Sequence, residues 1–202
     1  IDIALIPRCR NLSQSCMLPK GMLREPPSAI ARADVIVLTG TREEPWGQGI
    51  SVETPWWRRW NSRAPVFRAC LVPDYLYEVV GGTRVSVDDL RGRRISAFCG
   101  IARPARFFSM LEHMGIEVSS RWTFPDHHRY TMGDANLLRE CFDSADVVVT
   151  TEKDAVKMTH HTWRNTQLLA LKVSLQFEDE EGFLRTLFEK LSAHRNSSPQ
   201  GI

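Results

Sequence analysis

The sequence predicts an α/β fold with a largely parallel sheet. Short apolar runs that end in turn residues, such as residues 33–40, alternate with helix-like segments, and the second half of the chain repeats this strand-then-helix unit three times. With 43% hydrophobic and 25% charged residues among 202, the chain can bury the core of one large domain or two small ones. This composition excludes disordered and fibrous proteins.

The first third of the chain predicts two strands joined by a structured loop. Residues 1–6 predict a strand, and residues 33–40 predict a buried one because they form an apolar run closed by glycine. The proline- and glycine-rich stretch between them predicts a loop that ends in one helical turn at residues 28–32. The periodicity then disappears over residues 41–65, which predicts a linker or a long surface loop.

A β-hairpin is predicted between two lobes. Residues 67–80 and 83–87 are strand-like and flank Gly81 and Gly82, and glycine supplies the positive φ that hairpin turns require. The predicted domains are an N-terminal lobe with the long loop at 1–65, a hairpin linker at 66–90, a C-terminal α/β lobe at 91–194 and a polar tail at 195–202.

Strands and helices are predicted to alternate in the C-terminal lobe. The strands fall at residues 94–99, 116–124, 146–150 and 168–173, and the helices at 104–113, 133–142, after Thr151, and at 182–193. Thr151 and Asp154 predict a helix N-cap followed by an acidic third residue. The last helix is predicted to carry one apolar face made of Phe183, Leu184, Leu187, Phe188 and Leu191.

Charge and cysteine content limit the classes of partner and compartment. The formal net charge of +2 is too close to balance to predict a nucleic-acid partner, and no apolar run reaches the roughly 18 residues of a membrane span. The five cysteines have neither zinc-site nor disulfide-framework spacing, so reduced thiols in a cytoplasmic setting are expected. Because the chain opens on an apolar strand at Ile1 without a methionine, it is also expected to be a fragment of something longer.

Three segments follow predicted parallel strands, at the strand ends where ligands bind in such sheets. They are Cys99 to Ala102, Asp126-His127-His128, and Thr150 to Asp154. The Asp-His-His triplet is suited to ligating a metal, orienting a general base or stabilising a developing charge. Its simpler interpretation is a helix-start aspartate beside two solvated histidines.

Three further segments have a functional and a structural interpretation. Thr150 to Lys157 suits an anion at a helix N-terminus, although capping by Thr151, with Lys153 and Lys157 on a wet face, is favoured. Arg24 and Glu25 read as a surface ion pair placed after the first strand. Residues 56–60, Trp-Trp-Arg-Arg-Trp, suit either a lipid headgroup zone or a loop folded back onto the hinge.

Five segments in one order resemble the tetraacyldisaccharide 4'-kinases of lipid A biosynthesis. They are Leu18-Pro19-x-Gly21-x-Leu23-Arg24-Glu25-Pro26, Arg32-Ala33-Asp34, Ala97-Phe98-Cys99-Gly100-Ile101-Ala102-x-Pro104, Phe124-Pro125-Asp126-His127-His128-x-Tyr130 and Thr150-Thr151-Glu152-Lys153-Asp154-Ala155-Val156-Lys157. The resemblance implies an ATP-dependent kinase that phosphorylates the 4'-hydroxyl of tetraacyldisaccharide 1-phosphate, an acylated glucosamine disaccharide. It also implies a peripheral enzyme, with magnesium as its metal, working on the lipid surface at the cytoplasmic face of the bacterial inner membrane.

The resemblance implies a P-loop-kinase-like α/β fold. Its parts would be a segment of the nucleotide-binding first lobe, a two-stranded β linker and a smaller α/β/α C-terminal lobe. His127 would be the catalytic imidazole that assists an aspartate of the first lobe, supported by Asp126 and His128. Glu25 would act in the first-lobe site near magnesium or substrate, and Arg24 would contact substrate phosphate.

The matching segments correspond to the C-terminal part of the kinase. The family's P-loop, catalytic aspartate and acidic metal-binding segment would lie upstream of Ile1, and no G-x-x-x-x-G-K-[ST] occurs in the chain. ATP and magnesium would then be held mainly by that absent segment, and the chain is expected to be inactive alone. Two alternatives stay open: a metal-dependent phosphoesterase that uses the Asp-His-His triplet, and a non-catalytic remnant of a kinase lobe.

Overall fold

The computed structural model describes residues 1–7, 16–21, 23–40, 55–131, 134, 138–139, 142–158 and 166–197. Most of the predicted helix at residues 133–142 and part of the loop at 41–65 lie outside the described residues. The chain divides into unit 1, Ile1–Val72 with Leu175–Ile202, and unit 2, Pro73–Ser174. This division differs from the predicted domains because the C-terminal helix belongs to unit 1.

Eight strands and three α-helices are described. The strands are β1 (Ile3–Pro7), β2 (Val35–Gly40), β3 (Val66–Glu78), β4 (Arg84–Val85), β5 (Ile95–Cys99), β6 (Ser120–Thr123), β7 (Val147–Thr151) and β8 (Gln167–Phe177). The helices are α1 (Pro104–His113), α2 (Glu152–Met158) and α3 (Glu180–Ser197). The alternation of parallel strands and helices confirms the α/β class.

Unit 1 is built on the parallel strands β1, β2 and the first part of β3. Ile3 pairs with Val35, and Ile36 pairs with Val66. β2 is apolar on both faces because both are covered, which is the pattern expected of a parallel strand. One face packs Ile36 against Trp57, and the other packs Val35 and Val37 against α3 residues.

The predicted apolar face of the last helix is wrong in part. Phe183 and Leu187 pack in the unit 1 core, and Phe183 stacks on Phe177 at 4.2 Å between ring centroids. Leu184, Phe188 and Leu191 are instead exposed, with Phe188 at 65%. Only a narrow apolar stripe, formed by Phe183 and Leu187, therefore packs on the sheet.

The tryptophan cluster folds back onto unit 1. Trp57 is buried among Ile6, Ile30 and Ile36, in a 3-10 turn at Trp56–Arg59. The Asn61 amide fixes this segment, since its Nδ2 donates to the carbonyls of Ile30 and Ala33 at 3.0 and 2.8 Å. Trp57, Asn61 and Ala64 of this segment are thus buried, which corrects the prediction of a surface loop for part of residues 55–65.

Unit 2 contains four parallel strands in the order β6, β5, β7, β8. β3 and β4 form the predicted hairpin, with Leu76 opposite Val85, although β4 is only two residues long. Gly81 and Gly82 take φ values of 94° and 72°, as the turn prediction required. β6 is shorter than the predicted strand at 116–124, and α1 agrees with its prediction.

We expect Trp57→Ala to destabilise the protein far more than Trp60→Ala. Trp57 is almost fully buried, and removing a buried aromatic side chain costs about 3–5 kcal/mol, whereas Trp60 is only partly buried. Urea unfolding followed by far-UV circular dichroism measures both losses without relying on indole fluorescence. Equal losses would contradict a core position specific to Trp57.

Candidate active site

The candidate site lies at the carboxyl end of the parallel strands of unit 2. β5, β6 and β7 end at Cys99, Thr123 and Thr151, and their mutual pairing brings the three following segments together. The convergence predicted from the strand order is confirmed by contacts among these segments.

Asp154 joins two of the three segments from inside the unit. Its side chain is fully buried in the first turn of α2, and its Oδ2 accepts from the Gly100 N–H and the Thr151 hydroxyl, each at 2.8 Å. Its Oδ1 accepts from Lys157 Nζ at 3.0 Å, and its own N–H donates to Thr151 Oγ1 at 3.1 Å. The capping interpretation of Thr151 is therefore confirmed, while Lys157 neutralises a buried carboxylate rather than lining a wet face.

The space around Gly100 is filled by atoms of the third segment. A Cβ on Gly100 would lie 3.2 Å from Asp154 Oδ1, from the Pro125 carbonyl oxygen and from the Tyr130 hydroxyl. Burial raises the pKa of Tyr130, and the negative charge of Asp154 adds to this effect. The glycine therefore allows a closer approach of the three segments than a residue with a side chain would.

Asp126 and His127 lie on the exposed side of this network. Asp126 Oδ1 accepts from Lys153 Nζ at 3.1 Å and from the His127 backbone N–H at 3.0 Å. The hydrogen bond and charge of Lys153 hold the pKa of Asp126 below its ordinary value. His127 has a left-handed backbone, with φ of 60°, and its side chain is 76% exposed.

His128 faces a different environment from His127. Its ring stacks on Phe124 at 4.9 Å between centroids, and its Nε2 lies 3.1 Å from Asp134 Oδ2. The triplet therefore does not converge on one ligand. Among the described residues no group of three His, Cys, Asp or Glu side chains is placed to hold a metal ion.

Arg24 and Glu25 belong to unit 1. Arg24 is exposed, and Glu25 makes a two-pronged ion pair in which Arg32 contacts both carboxylate oxygens at 3.0 and 2.6 Å. Arg32 lowers the pKa of Glu25. An oxygen ligand suits magnesium, but both oxygens of this carboxylate already face a guanidinium, so the arrangement does not fit a metal ligand.

Sequence reasoning placed Gly100 and Asp154 in candidate segments, but it assigned no role to Gly100, Asp154 or Tyr130 in holding those segments together. The capping pattern did locate Asp154 at the third helical position, but its contact with Gly100 spans 54 residues and has no local signal. Lys153 was predicted to be a solvated side chain. Its contact with Asp126 could not be predicted, because it spans 27 residues and also has no local signal.

We expect Asp154→Ala to destabilise the protein by about 3–5 kcal/mol, because it leaves Lys157 and the Gly100 N–H without their buried partner. Glu152→Ala is the matched control on the same helical turn, since it removes a more exposed ion pair worth about 1 kcal/mol or less. Urea unfolding measures both, and hydrogen exchange reports the Gly100 amide. A protected Gly100 amide in Asp154→Ala would contradict this account.

Known proteins match the chain over nearly its whole length. The sequence profile of the family described as tetraacyldisaccharide-1-P 4'-kinase matches residues 1–192. Tetraacyldisaccharide 4'-kinases from Desulfatibacillum aliphaticivorans and Bradyrhizobium sp. (strain ORS 278) are 34% and 36% identical over 95% and 97% of this chain. The chain spans about half the length of these curated relatives, 52% and 56%.

A solved structure has the same fold. LpxK from Aquifex aeolicus, crystallised in complex with ATP, superimposes with a TM-score of 0.63 at 25% sequence identity, covering 93% of this chain and 51% of that one. The α/β architecture agrees with the P-loop-kinase-like fold expected from the resemblance. On this evidence, the chain belongs to the tetraacyldisaccharide-1-P 4'-kinase family.

Proposed function

We propose that the chain works as part of an ATP-dependent kinase that phosphorylates the 4'-hydroxyl of tetraacyldisaccharide 1-phosphate in lipid A biosynthesis. The observation that carries this proposal is the family match over residues 1–192, in which the site segments of unit 2 are included. The ATP complex of the Aquifex aeolicus relative supports ATP as the phosphoryl donor.

His127 is the residue of this chain that we assign to the reaction. Its exposed imidazole is free of the buried network and can accept a proton or orient a carboxylate that takes one from the sugar hydroxyl. The hydroxyl oxygen then attacks the γ-phosphorus of ATP and ADP leaves. Such transfers depend mainly on positioning and charge stabilisation.

The other predicted site residues are assigned supporting roles. Asp126 holds the backbone N–H of His127, and His128 anchors the same loop by packing on Phe124. Arg24, which is exposed, is proposed to contact a substrate phosphate. Glu25 is proposed to act together with Arg24, and its carboxylate would give up its ion pair with Arg32 to do so.

The test joins this chain to the part of the Bradyrhizobium relative that it does not match. We expect the chimera to transfer the γ-phosphate of ATP to tetraacyldisaccharide 1-phosphate, and the chain alone, which has no G-x-x-x-x-G-K-[ST], to be inactive. In the chimera, His127→Ala should lower kcat by about 100-fold or more.

His113→Ala is the matched control, because His113 is an exposed histidine that caps its own helix through the Ser109 carbonyl. It should leave kcat unchanged. A folded but inactive chimera would count against the kinase proposal, and full activity of His127→Ala would remove His127 from the reaction.

We also propose that the protein works peripherally at the cytoplasmic face of the inner membrane, where its acylated substrate resides. No helix among the described residues is long and apolar enough to cross a membrane. The surface of unit 1 offers Arg59, whose guanidinium lies 4.2 Å over the half-buried Trp60 ring, a pair suited to anionic headgroups.

The membrane proposal is tested by flotation with phosphatidylglycerol vesicles. Replacing both residues, Arg59→Gln with Trp60→Ser, should lower the bound fraction several-fold by removing a charge and an interfacial indole. Arg91→Gln is the control for charge alone, since Arg91 is exposed and pairs with Asp88 three residues before it. Unchanged binding of the double variant would exclude this surface from docking.

A further inference from the structure

Lys153 reaches the loop that carries His127. Its Nζ lies 3.1 Å from Asp126 Oδ1 and 3.5 Å from His127 Nε2. The same Asp126 oxygen accepts the backbone N–H of His127 at 3.0 Å. One carboxylate oxygen therefore connects the lysine to the backbone of the residue that presents the imidazole.

The lysine itself is held on a rigid base. Lys153 precedes Asp154 in the first turn of α2, and that turn is fixed by the buried bonds of Asp154 to Gly100 and Thr151. The neighbouring strand β7 is buried over Val147, Val148 and Val149. Two consecutive residues of one helical turn thus make different contacts. Asp154 binds the buried Gly100 N–H and the Thr151 hydroxyl, and Lys153 extends to Asp126 in the exposed loop.

The backbone of His127 needs such support. A left-handed conformation is unfavourable for residues other than glycine, and it persists only where the surroundings enforce it. Among the described residues, Asp126 is the acceptor of the His127 N–H, and Lys153 is the cation bound to Asp126.

We propose that Lys153 is a positioning residue, which through Asp126 keeps His127 in the left-handed conformation that presents its imidazole. The proposal rests on the role assigned to His127 above, but its physical content concerns only residues of unit 2. Because the Lys153 and Asp126 side chains are 44% and 39% exposed, their ion pair contributes little to global stability, and its loss acts on the loop.

The first test is nuclear magnetic resonance of the 202-residue chain. In a residue with positive φ the amide proton and the Hα proton lie close together, so their nuclear Overhauser cross-peak is strong. We expect this His127 cross-peak to weaken and its amide shift to move in Lys153→Met, with an unchanged melting temperature. Lys153→Arg, which retains a cation for Asp126, should restore both signals.

Lys172→Met is the matched control. Lys172 and Glu152 form a pair of the same length, 3.1 Å, with similar exposure of 41% and 33%, and Glu152 belongs to the same helix as Lys153. This variant should leave the His127 signals unchanged. An unaltered His127 cross-peak in Lys153→Met, an equal effect of Lys172→Met, or no recovery in Lys153→Arg would each overturn the proposal.

The second readout is kinetic and uses the chimera. Misplacing a reacting group by about 1 Å lowers rates by about 100-fold, so Lys153→Met should lower kcat by about 10- to 100-fold with KM retained, and Lys153→Arg should recover most of it. A rise in KM without a change in kcat would overturn the positioning role. An inactive chimera would count against the kinase function only, because the resonance experiment decides the position of His127 independently.

Discussion

The buried carboxylate of Asp154 is the interaction on which the candidate site depends. A charge removed from water is tolerated only when it is paired and hydrogen-bonded, and Asp154 has the Lys157 ammonium, the Thr151 hydroxyl and the Gly100 N–H as donors. Two of these donors come from the helix of Asp154 or its cap, and the third follows a different strand. Satisfying one charge therefore fixes the relative positions of two strand ends.

The same requirement leaves little space for a ligand in the inner part of the rim. Gly100, Asp154 and Tyr130 are packed too closely for a ligand, since even a methyl group on Gly100 would meet three atoms at 3.2 Å. The polar side chains left for chemistry are those that project outward from this network, His127 with Asp126 and Lys153. The interior network provides rigidity, and the exposed cluster carries His127, the group that we propose for the reaction.

The elements that follow local patterns could be predicted from the sequence, and the long-range contacts could not. Strand β2, helix α1 and the Gly81-Gly82 hairpin carry periodicity or turn chemistry within a few residues. The different environments of His127 and His128 depend instead on the positive φ of His127 and on Phe124 and Asp134. The adjacent residues His127 and His128 lie in different environments, one exposed and one largely buried, and hydrophobic periodicity in the sequence does not predict this difference.

Asp126, Cys99 and Tyr130 each keep one charge state near neutral pH. Lys153 lowers the pKa of Asp126 from its ordinary value of 3.8, so the ion pair is fully formed above that value and is lost only as the pH falls through the lowered one. At the other end, burial raises the pKa of Cys99 to about 12 and also raises that of Tyr130, so both stay neutral. A change of rate between pH 6 and 8 would therefore not arise from Asp126, Cys99 or Tyr130. The Asp126 carboxylate that accepts the His127 N–H therefore stays charged between pH 6 and 8, so pH changes in that range do not remove this support of the His127 backbone.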